Sequence, residues 1–246
     1  MKDDQAMVLE VIGVSKHFGG LQVLEDVSFQ VREREILGLI GPNGAGKSTM
    51  FNVITGVYQP NRGHILFQKK NITGLKTYQV CRRGIGRTFQ LVQICPTMTA
   101  LENVLVGAVY GRKGGGKHAL AEALECLKLL NLLEVKDTVV AHLTYSDRKL
   151  IEIARAVSAR PGLVLLDEPL AGLNPVETTK IMEVIKVIRQ TREISIIWIE
   201  HKMDAVFKLC DRVVVLDYGR KIAEGLPQEI AHDKVVVEAY LGEPVD

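Results

Sequence analysis

One stretch of eight residues limits what this chain can fold into more than any other feature of its sequence. Residues 41–48 fit the pattern G-x-x-x-x-G-K-[ST] at every fixed position. The apolar run 36–40 comes directly before them, and a helical pattern runs from Ser48 to about Val57. Because a continuous apolar run is typical of a strand buried on both faces, the sequence predicts a buried strand, a glycine-rich turn and a helix in succession.

This succession favours phosphate binding. Glycines let the backbone curl until successive N–H groups point at one anion, and the N-terminal end of the following helix adds partial positive charge. Lys47 can reach the β- and γ-phosphates of a nucleotide, the Ser48 hydroxyl can ligate Mg²⁺, and Thr49 is placed for the α-phosphate. The candidate phosphate-binding residues are Gly41, Pro42, Asn43, Gly44, Ala45, Gly46, Lys47, Ser48 and Thr49.

A second apolar run, 163–166, ends in the two carboxylates Asp167 and Glu168. Two charges at the end of a buried strand are costly unless a ligand or a partner uses them. In a nucleotide site the first carboxylate holds Mg²⁺ through its waters, and the second polarises the attacking water as general base. A mere strand end is the alternative, which the phosphate loop earlier in the chain disfavours.

The remaining pattern predicts an α/β fold. Residues 8–14 and 24–31 alternate like half-exposed antiparallel strands, and 194–199 and 213–216 are further candidates for buried strands. Between residues 99 and 160 the apolar positions recur at helical spacing, over 119–133 and again over 150–157. We therefore expect a helical lobe inserted into a sheet domain, with the glycine-rich tract 111–117 as a loop.

Composition excludes several classes of function. The chain has 246 residues and a formal net charge of +2, which gives no support for a nucleic-acid partner. Its four cysteines have neither disulfide nor zinc spacing, as is typical of a cytosolic protein with reduced thiols. Residues 1–5 lack the apolar run of a signal peptide, and every apolar stretch is far shorter than the ~20 residues that span a bilayer. Any membrane role must therefore come through a partner.

Taken together, these motifs resemble the ATP-binding cassettes of ABC transporters along essentially the full chain. Further features match that family in the expected order: Phe18 where an aromatic ring stacks on adenine, Gln90 after Arg-Thr-Phe in the position of the Q-loop, and Leu-Thr-Tyr-Ser-Asp at 143–147 in the position of the LSGGQ signature. Residues 171–174 match the D-loop, and His201 matches the switch histidine. Alone, a phenylalanine or a histidine is more often a core or surface residue. The resemblance therefore depends on the order and spacing of all these motifs along the chain.

Within the family, the chain is most similar to the ATP-binding subunits of branched-chain amino acid importers. The sequences at 87–90 and 98–104 and the tyrosine at the third signature position, Tyr145, resemble that group. The ending at 239–243 is similar both to that group and to lipopolysaccharide-export cassettes.

The signature departs from the family pattern at two positions. Ser146 replaces the usual glycine and Asp147 the usual glutamine, while Asn174 replaces the common aspartate of the D-loop. Two interpretations stay open. A left-handed Ser146 would be strained and Asp147 would repel phosphate, or the two residues simply cap the helix that follows.

The resemblance implies a P-loop α/β fold with an N-terminal antiparallel β-subdomain and an inserted α-helical lobe. We expect one nucleotide-binding domain over 1–246, with its core at 1–94 and 160–246 and the lobe at about 95–159. The implied cofactors are ATP and Mg²⁺. Ser48, Asp167 and Gln90 would hold the metal. The implied catalytic residues are Lys47, Gln90, Glu168 and His201. The signature residues Thr144, Tyr145, Ser146 and Asp147 would bind the nucleotide held by a second cassette.

The resemblance also implies partners and a location. These partners are integral-membrane permease subunits, a second cassette in a homodimer or heterodimer, and a solute-binding protein, with the chain on the cytoplasmic face of the cell membrane. The alternatives are a soluble non-transport ABC ATPase and a catalytically weak partner in a heterodimer. The double cassettes and long coiled coils typical of the soluble class do not occur in this sequence.

Overall fold

The computed structural model describes residues 6–111 and 118–241. Most of the loop expected at 111–117, and residues 242–243 of the family-like ending, lie outside the described residues. The chain forms two compact units. One comprises the described residues of Met1–Thr77 and Ser195–Asp246, and the other those of Tyr78–Ile194. The expected helical lobe, 95–159, falls within the range of the second unit.

The strands and helices follow one another along the whole described chain. The strands are β1 (Met7–Phe18), β2 (Leu21–Arg32), β3 (Ile36–Ile40), β4 (Arg62–Phe67), β5 (Lys70–Asn71), β6 (Ile85–Arg87), β7 (Leu163–Asp167), β8 (Ser195–Ile199), β9 (Arg212–Asp217) and β10 (Arg220–Gly225). The helices are α1 (Lys47–Ile54), α2 (Thr77–Arg83), α3 (Ala100–Tyr110), α4 (Ala119–Leu129), α5 (Tyr145–Ser158), α6 (Pro175–Arg192), α7 (Met203–Leu209), α8 (Pro227–Ile230) and α9 (Lys234–Leu241).

The first unit contains two groups of paired strands. An antiparallel sheet has the order β2-β1-β4-β5, which confirms the antiparallel strands predicted near the N-terminus. In the other group β3 lies between β9 and β8 and runs parallel to both, while β10 pairs antiparallel with β9. A strand flanked on both sides in a covered sheet needs apolar residues on both faces. All five residues of β3 are accordingly buried.

The second unit pairs a short parallel ladder with helices. β6 runs parallel to β7, whose five residues are all buried. Helix α3 packs on α4 and α5, and α6 packs on both α4 and α5. The core side of α5 carries Leu150, Ile153, Ala154 and Val157, which recur at the helical spacing read from the sequence. The predicted α/β fold with a helical segment is therefore confirmed.

Two predicted helices end earlier than expected. The helix predicted to reach about Val57 stops at Ile54, because Gly56 takes a left-handed conformation (φ 75°) that ends the helical hydrogen-bond series. The helix predicted over 119–133 stops at Leu129, and Asn131 is left-handed there (φ 57°). Within the described ranges, no helix combines the length and apolar character required to cross a membrane.

Candidate active site

The phosphate loop occupies the turn between β3 and α1, as the sequence predicts. Two of its glycines cannot carry a side chain. At Gly41 (φ 147°) an added Cβ would lie 2.0 Å from the carbonyl oxygen of Leu216. At Gly46 (φ 99°) it would lie 2.8 Å from the carbonyl oxygen of Val23. Gly46 is also the N-cap of α1, so the helix begins without a capping side chain and its first N–H groups face the loop.

Lys47 is held inside this loop. Its side chain is buried, and its Nζ donates to the carbonyl oxygens of Gly41 at 2.7 Å and Pro42 at 2.8 Å. A buried ammonium needs such acceptors, and its three donors can exchange carbonyl oxygens for phosphate oxygens. Ser48, in the first turn of α1, is exposed, and Thr49 is half-buried. The candidate ligands are therefore presented where the helix begins.

Two contacts that the sequence did not predict brace the loop from the outside. The N–H of Gly41 donates to the hydroxyl of Tyr240 in α9 at 2.7 Å. The N–H of Gly219, in the turn between β9 and β10, donates to the carbonyl oxygen of Ala45 at 3.2 Å. Partial burial raises the pKa of the Tyr240 phenol, and the hydrogen bond from Gly41 opposes that rise.

The expected adenine-stacking residue, Phe18, lies at the end of β1 with 41% of its surface exposed. Its ring and that of Tyr58 meet edge to face, with ring centroids 5.0 Å apart and ring planes at 76°. The Nζ of Lys16 lies 4.9 Å from the centre of the Phe18 ring, which is within cation–π range. Tyr58 and Lys16 belong to no sequence motif, so only their contacts in the folded protein show that they support Phe18.

His201 follows β8, as expected from the sequence, and is exposed. Its backbone N–H donates to Oε1 of the buried Glu200 at 3.0 Å. The turn after β8 is therefore held by a carboxylate.

In the second unit, the two carboxylates predicted after a buried strand stand at the end of β7. Asp167 is 5% exposed, and its Oδ2 lies 3.1 Å from a guanidinium nitrogen of Arg87. Glu168 accepts a hydrogen bond at Oε2 from the Gln90 amide, 3.0 Å away. The structure thus brings together Gln90 and Glu168, which the sequence placed in one catalytic set.

The backbone at Glu168 is strained and held from behind. Its φ is 47°, a left-handed conformation that costs a non-glycine residue about 1–3 kcal/mol. Lys149, a buried residue of α5, donates from Nζ to the Glu168 carbonyl oxygen at 3.0 Å. Such strain persists only where the surroundings fix the backbone, and Lys149 is one group that does so. No pattern in the sequence predicts this contact.

The buried Glu152 and the half-buried Arg155 of α5 hold the segment around Gln90. The carboxylate of Glu152 accepts from the N–H groups of Phe89 at 3.3 Å and Gln93 at 3.0 Å, and Arg155 donates to the Gln93 carbonyl oxygen. Burial raises the pKa of Glu152, while these N–H groups and Arg155 oppose the rise. The same helix therefore carries the signature residues at its start and anchors the Q-loop segment two turns later.

The signature residues form the first turn of α5. Thr144 is the N-cap, and its hydroxyl accepts from the Asp147 N–H at 3.1 Å and donates to Asp147 Oδ2 at 2.8 Å. Ser146 is helical rather than left-handed, which removes the expected strain. Its hydroxyl is buried and has no hydrogen-bond partner among the residues that the structure describes. Tyr145 is 43% exposed.

Asn174 also has a local use. It is the N-cap of α6, and its side chain accepts from the Glu177 N–H at 3.0 Å while Glu177 accepts from the Asn174 N–H. Neither Ser146 nor Asp147 therefore caps α5. Thr144 does, and Asp147 holds the Thr144 hydroxyl from the first turn of the helix.

Comparison with known proteins decides the family. A model described as ABC transporter matches residues 24–171, and a shorter one described as branched-chain amino acid ATP-binding cassette transporter matches residues 220–246. This chain belongs to the ABC transporter family. The resemblance read from the motifs is confirmed, and so is the expected fold of a P-loop cassette.

Relatives resemble this ABC cassette over nearly its whole length. The branched-chain amino acid transport ATP-binding protein LivG of Salmonella typhimurium is 40% identical, with 96% of this chain and 98% of LivG covered. BraF of Pseudomonas aeruginosa, described in the same words, is 37% identical with the same coverage. The lipopolysaccharide export protein LptB of Acidithiobacillus ferridurans is 35% identical, with 96% and 97% covered.

Solved cassettes share the fold. A crystal structure of an ATP-binding cassette in its ADP conformation superimposes with a TM-score of 0.89 at 32% identity, covering 97% of this chain and all of the other. A dimeric cassette bound to ADP and phosphate superimposes with a TM-score of 0.79 at 26% identity, covering 89% and 98%. The chain is thus an ATP-binding and ATP-hydrolysing subunit of an ABC transporter.

The residues expected at the metal have suitable chemistry. Mg²⁺ takes oxygen ligands and is usually held by one or two protein groups together with substrate phosphates. Ser48, Asp167 and Gln90 offer a hydroxyl, a carboxylate and an amide oxygen. Among the described residues, no cluster of three or more His, Cys, Asp or Glu could hold a metal alone. A metal bound mainly by nucleotide phosphates fits this set.

Proposed function

We propose that this cassette powers the uptake of branched-chain amino acids through a membrane permease. The match of residues 220–246 to the branched-chain amino acid cassette model carries this proposal, and the 40% identity to LivG supports it. The transported solute is assigned from the similarity to these relatives, because the groups that contact the solute belong to other chains of the transporter.

We assign the nucleotide-binding roles to residues of the first unit. Phe18 stacks on adenine, and its edge-to-face contact with Tyr58 supports the ring. The loop residues 41–49 bind the phosphates, and Lys47 exchanges its carbonyl partners for β- and γ-phosphate oxygens. His201 contacts the γ-phosphate. The buried Lys47 Nζ, already surrounded by loop carbonyls, is the observation that best supports the phosphate roles.

Hydrolysis is assigned to Glu168 and Gln90. The Glu168 carboxylate takes a proton from water as the water oxygen bonds to the γ-phosphorus. The bond between that phosphorus and the bridging oxygen breaks, and ADP leaves with the electron pair. Gln90 orients the Glu168 carboxylate through the hydrogen bond at 3.0 Å. Ser48, Asp167 and Gln90 would hold Mg²⁺, which would supply positive charge to balance the phosphates.

The whole chain, 1–246, acts in this proposal as one nucleotide-binding domain, with its core at 1–94 and 160–246 and a helical lobe at 95–159. Two cassettes close head-to-tail over ATP, each offering residues 144–147 to the nucleotide of the other. The existence of a dimeric cassette with the same fold supports this arrangement. Permease subunits dock near residues 90–96 on the inner face of the membrane, and a solute-binding protein delivers the solute outside.

The altered signature favours one other candidate, a catalytically weak cassette that works only beside a different one. Ser146 and Asp147 motivate it, since each departs from the residue usual at its position. In that case the chain would bind ATP and still fail to pair with itself.

Light scattering on the Glu168→Gln variant, with and without ATP, tests the proposal. Blocked hydrolysis should trap a dimer that forms only with ATP. Adding Lys47→Ala should abolish the ATP-driven dimer, because the protein then no longer binds the phosphates. A Glu168→Gln protein that binds ATP and stays monomeric at every concentration would favour the weak cassette of a heterodimer.

A reconstitution experiment tests the solute. Purified cassette, permease and solute-binding protein are placed in vesicles, and ATP hydrolysis is measured with leucine, isoleucine, valine or lipopolysaccharide. Stimulation by the three amino acids supports the proposal. Stimulation by lipopolysaccharide alone would transfer the chain to the export group.

A further inference from the structure

Asp147 brings a negative charge to the loop that the proposed function places against a phosphate. The family usually has a neutral glutamine at this position. A carboxylate there should repel the γ-phosphate of the second copy's ATP and weaken closure of the dimer. This chain either tolerates that repulsion or offsets it.

The structure contains a group that can offset it. The Nζ of Lys180 lies 3.2 Å from Asp147 Oδ1, while Asp147 Oδ2 accepts from the Thr144 hydroxyl. Both carboxylate oxygens are therefore bound. Lys180 projects from α6, whose start is fixed by the Asn174 capping box, so the ammonium belongs to a well-anchored helix.

Stability alone does not account for this pair. The Lys180 side chain is 44% exposed and that of Asp147 22%, and pairs this open to water contribute little to folding. The pairing matters more for the way Asp147 acts on a third charge nearby. A carboxylate beside an ammonium acts on a distant anion as a dipole, whose field falls off faster than that of a single charge.

We propose that Lys180 is a positioning residue that neutralises Asp147 and holds its carboxylate in the first turn of α5, so that the altered signature can still meet ATP on a second copy. This inference rests on the proposed function. In the proposed dimer Lys180 does not contact the nucleotide itself, and it acts through Asp147.

The test compares ATP-driven dimerisation of purified proteins that all carry Glu168→Gln. The added changes are Lys180→Gln, Lys180→Arg, Asp147→Asn and the pair Lys180→Gln with Asp147→Asn. Lys186→Gln is the matched control. Lys186 lies on the same helix, is 44% exposed and pairs with Glu183 at 2.8 Å, so its loss changes the net charge equally. Dimer dissociation constants are measured by light scattering at low and high salt, and thermal unfolding is followed in parallel.

The proposal expects Lys180→Gln to raise the dimer dissociation constant about fivefold or more at low salt, since each dimer holds two such loops. Lys180→Arg should restore most of the affinity, and high salt should shrink the difference. In the Asp147→Asn background, Lys180→Gln should have no further effect. Lys186→Gln should dimerise like the parent, and melting temperatures should agree across the set.

Two results would overturn the inference while the proposed function stands. One is equal dimerisation of the parent and Lys180→Gln. The other is an equal loss from Lys180→Gln whether or not Asp147 carries its charge, which would mark Lys180 as acting independently of Asp147.

A last variant distinguishes a failure of the Lys180 inference from a failure of the proposed function. If the Glu168→Gln parent stays monomeric with ATP, Ser146→Gly and Asp147→Gln are added to restore the usual signature residues. Dimerisation of that variant would keep the proposed function and reject the compensation by Lys180. A monomer in both cases would reject the ATP-closed homodimer and the inference together.

Discussion

The backbone N–H of Gly41, the first residue of the phosphate loop, donates to the Tyr240 hydroxyl at 2.7 Å across 199 positions of sequence. The loop that we propose binds nucleotide is thus fixed at its start by α9, near the end of the described chain. An N–H group left without its acceptor in a partly buried position costs about 1–3 kcal/mol. The geometry of the loop should therefore depend on α9.

We expect Tyr240→Phe to weaken ATP binding about threefold to tenfold, because it removes only the acceptor for the Gly41 N–H. Isothermal titration with a non-hydrolysable ATP analogue measures the change. Tyr110→Phe is the control, as Tyr110 is 68% exposed at the end of α3. Unchanged affinity in Tyr240→Phe would mean that water replaces the hydroxyl without cost and that α9 does not brace the loop.

Lys149→Met should lower the rate of hydrolysis about tenfold or more while leaving ATP affinity unchanged, because small displacements of a catalytic group carry large rate costs. Lys149 Nζ holds the carbonyl oxygen of Glu168, whose φ of 47° is strained. Single-turnover hydrolysis in the assembled transporter separates the chemical step from binding. Lys149→Arg should recover much of the rate. A drop in affinity with a normal rate would contradict the assignment.

Glu152 should make stability depend on pH. Burial raises its pKa above the ordinary value of 4.5, so the folded protein binds this proton more tightly than the unfolded chain does. The stabilising contribution is therefore complete below the unfolded pKa and is lost as pH rises through the folded pKa.

The matched variant is Glu152→Gln, which keeps an oxygen acceptor for the N–H groups of Phe89 and Gln93. Free energies of unfolding are measured in urea from about pH 4 to about pH 8. The parent should lose stability relative to Glu152→Gln as pH rises above 4.5. If the difference in free energy of unfolding between the two proteins stayed constant or changed in the opposite direction with pH, Glu152 would not be the titrating group.

The sequence predicted those parts of the site that depend on local pattern. The run 36–40 became the strand β3, which leads into the glycine-rich turn, and the run 163–166 became β7, which ends in the two carboxylates. These features need only neighbouring residues, because the period of burial and the glycine conformations are set along a few positions.

What the sequence could not predict are contacts between distant residues. The pairs Arg87–Asp167 and Lys180–Asp147, like the bond from Gly41 to Tyr240, join residues 33 to 199 positions apart. Nothing in the spacing of an arginine or a lysine indicates which carboxylate it will meet. The early end of α1 could not be predicted for a different reason, since a glycine such as Gly56 can take either a helical or a left-handed conformation.

The aromatic pair Phe18 and Tyr58 gives the last prediction. An edge-to-face contact contributes about 0.5–1.5 kcal/mol beyond buried area, so Tyr58 should fix the Phe18 ring that we propose stacks on adenine. Phe18→Ala should weaken ATP binding about tenfold and Tyr58→Ala about threefold, while Tyr58→Phe, which keeps the ring edge, should bind normally. Fluorescence titration with a labelled ATP analogue measures all three. If Tyr58→Phe lost as much affinity as Tyr58→Ala, the hydroxyl rather than the ring edge would be the group that matters.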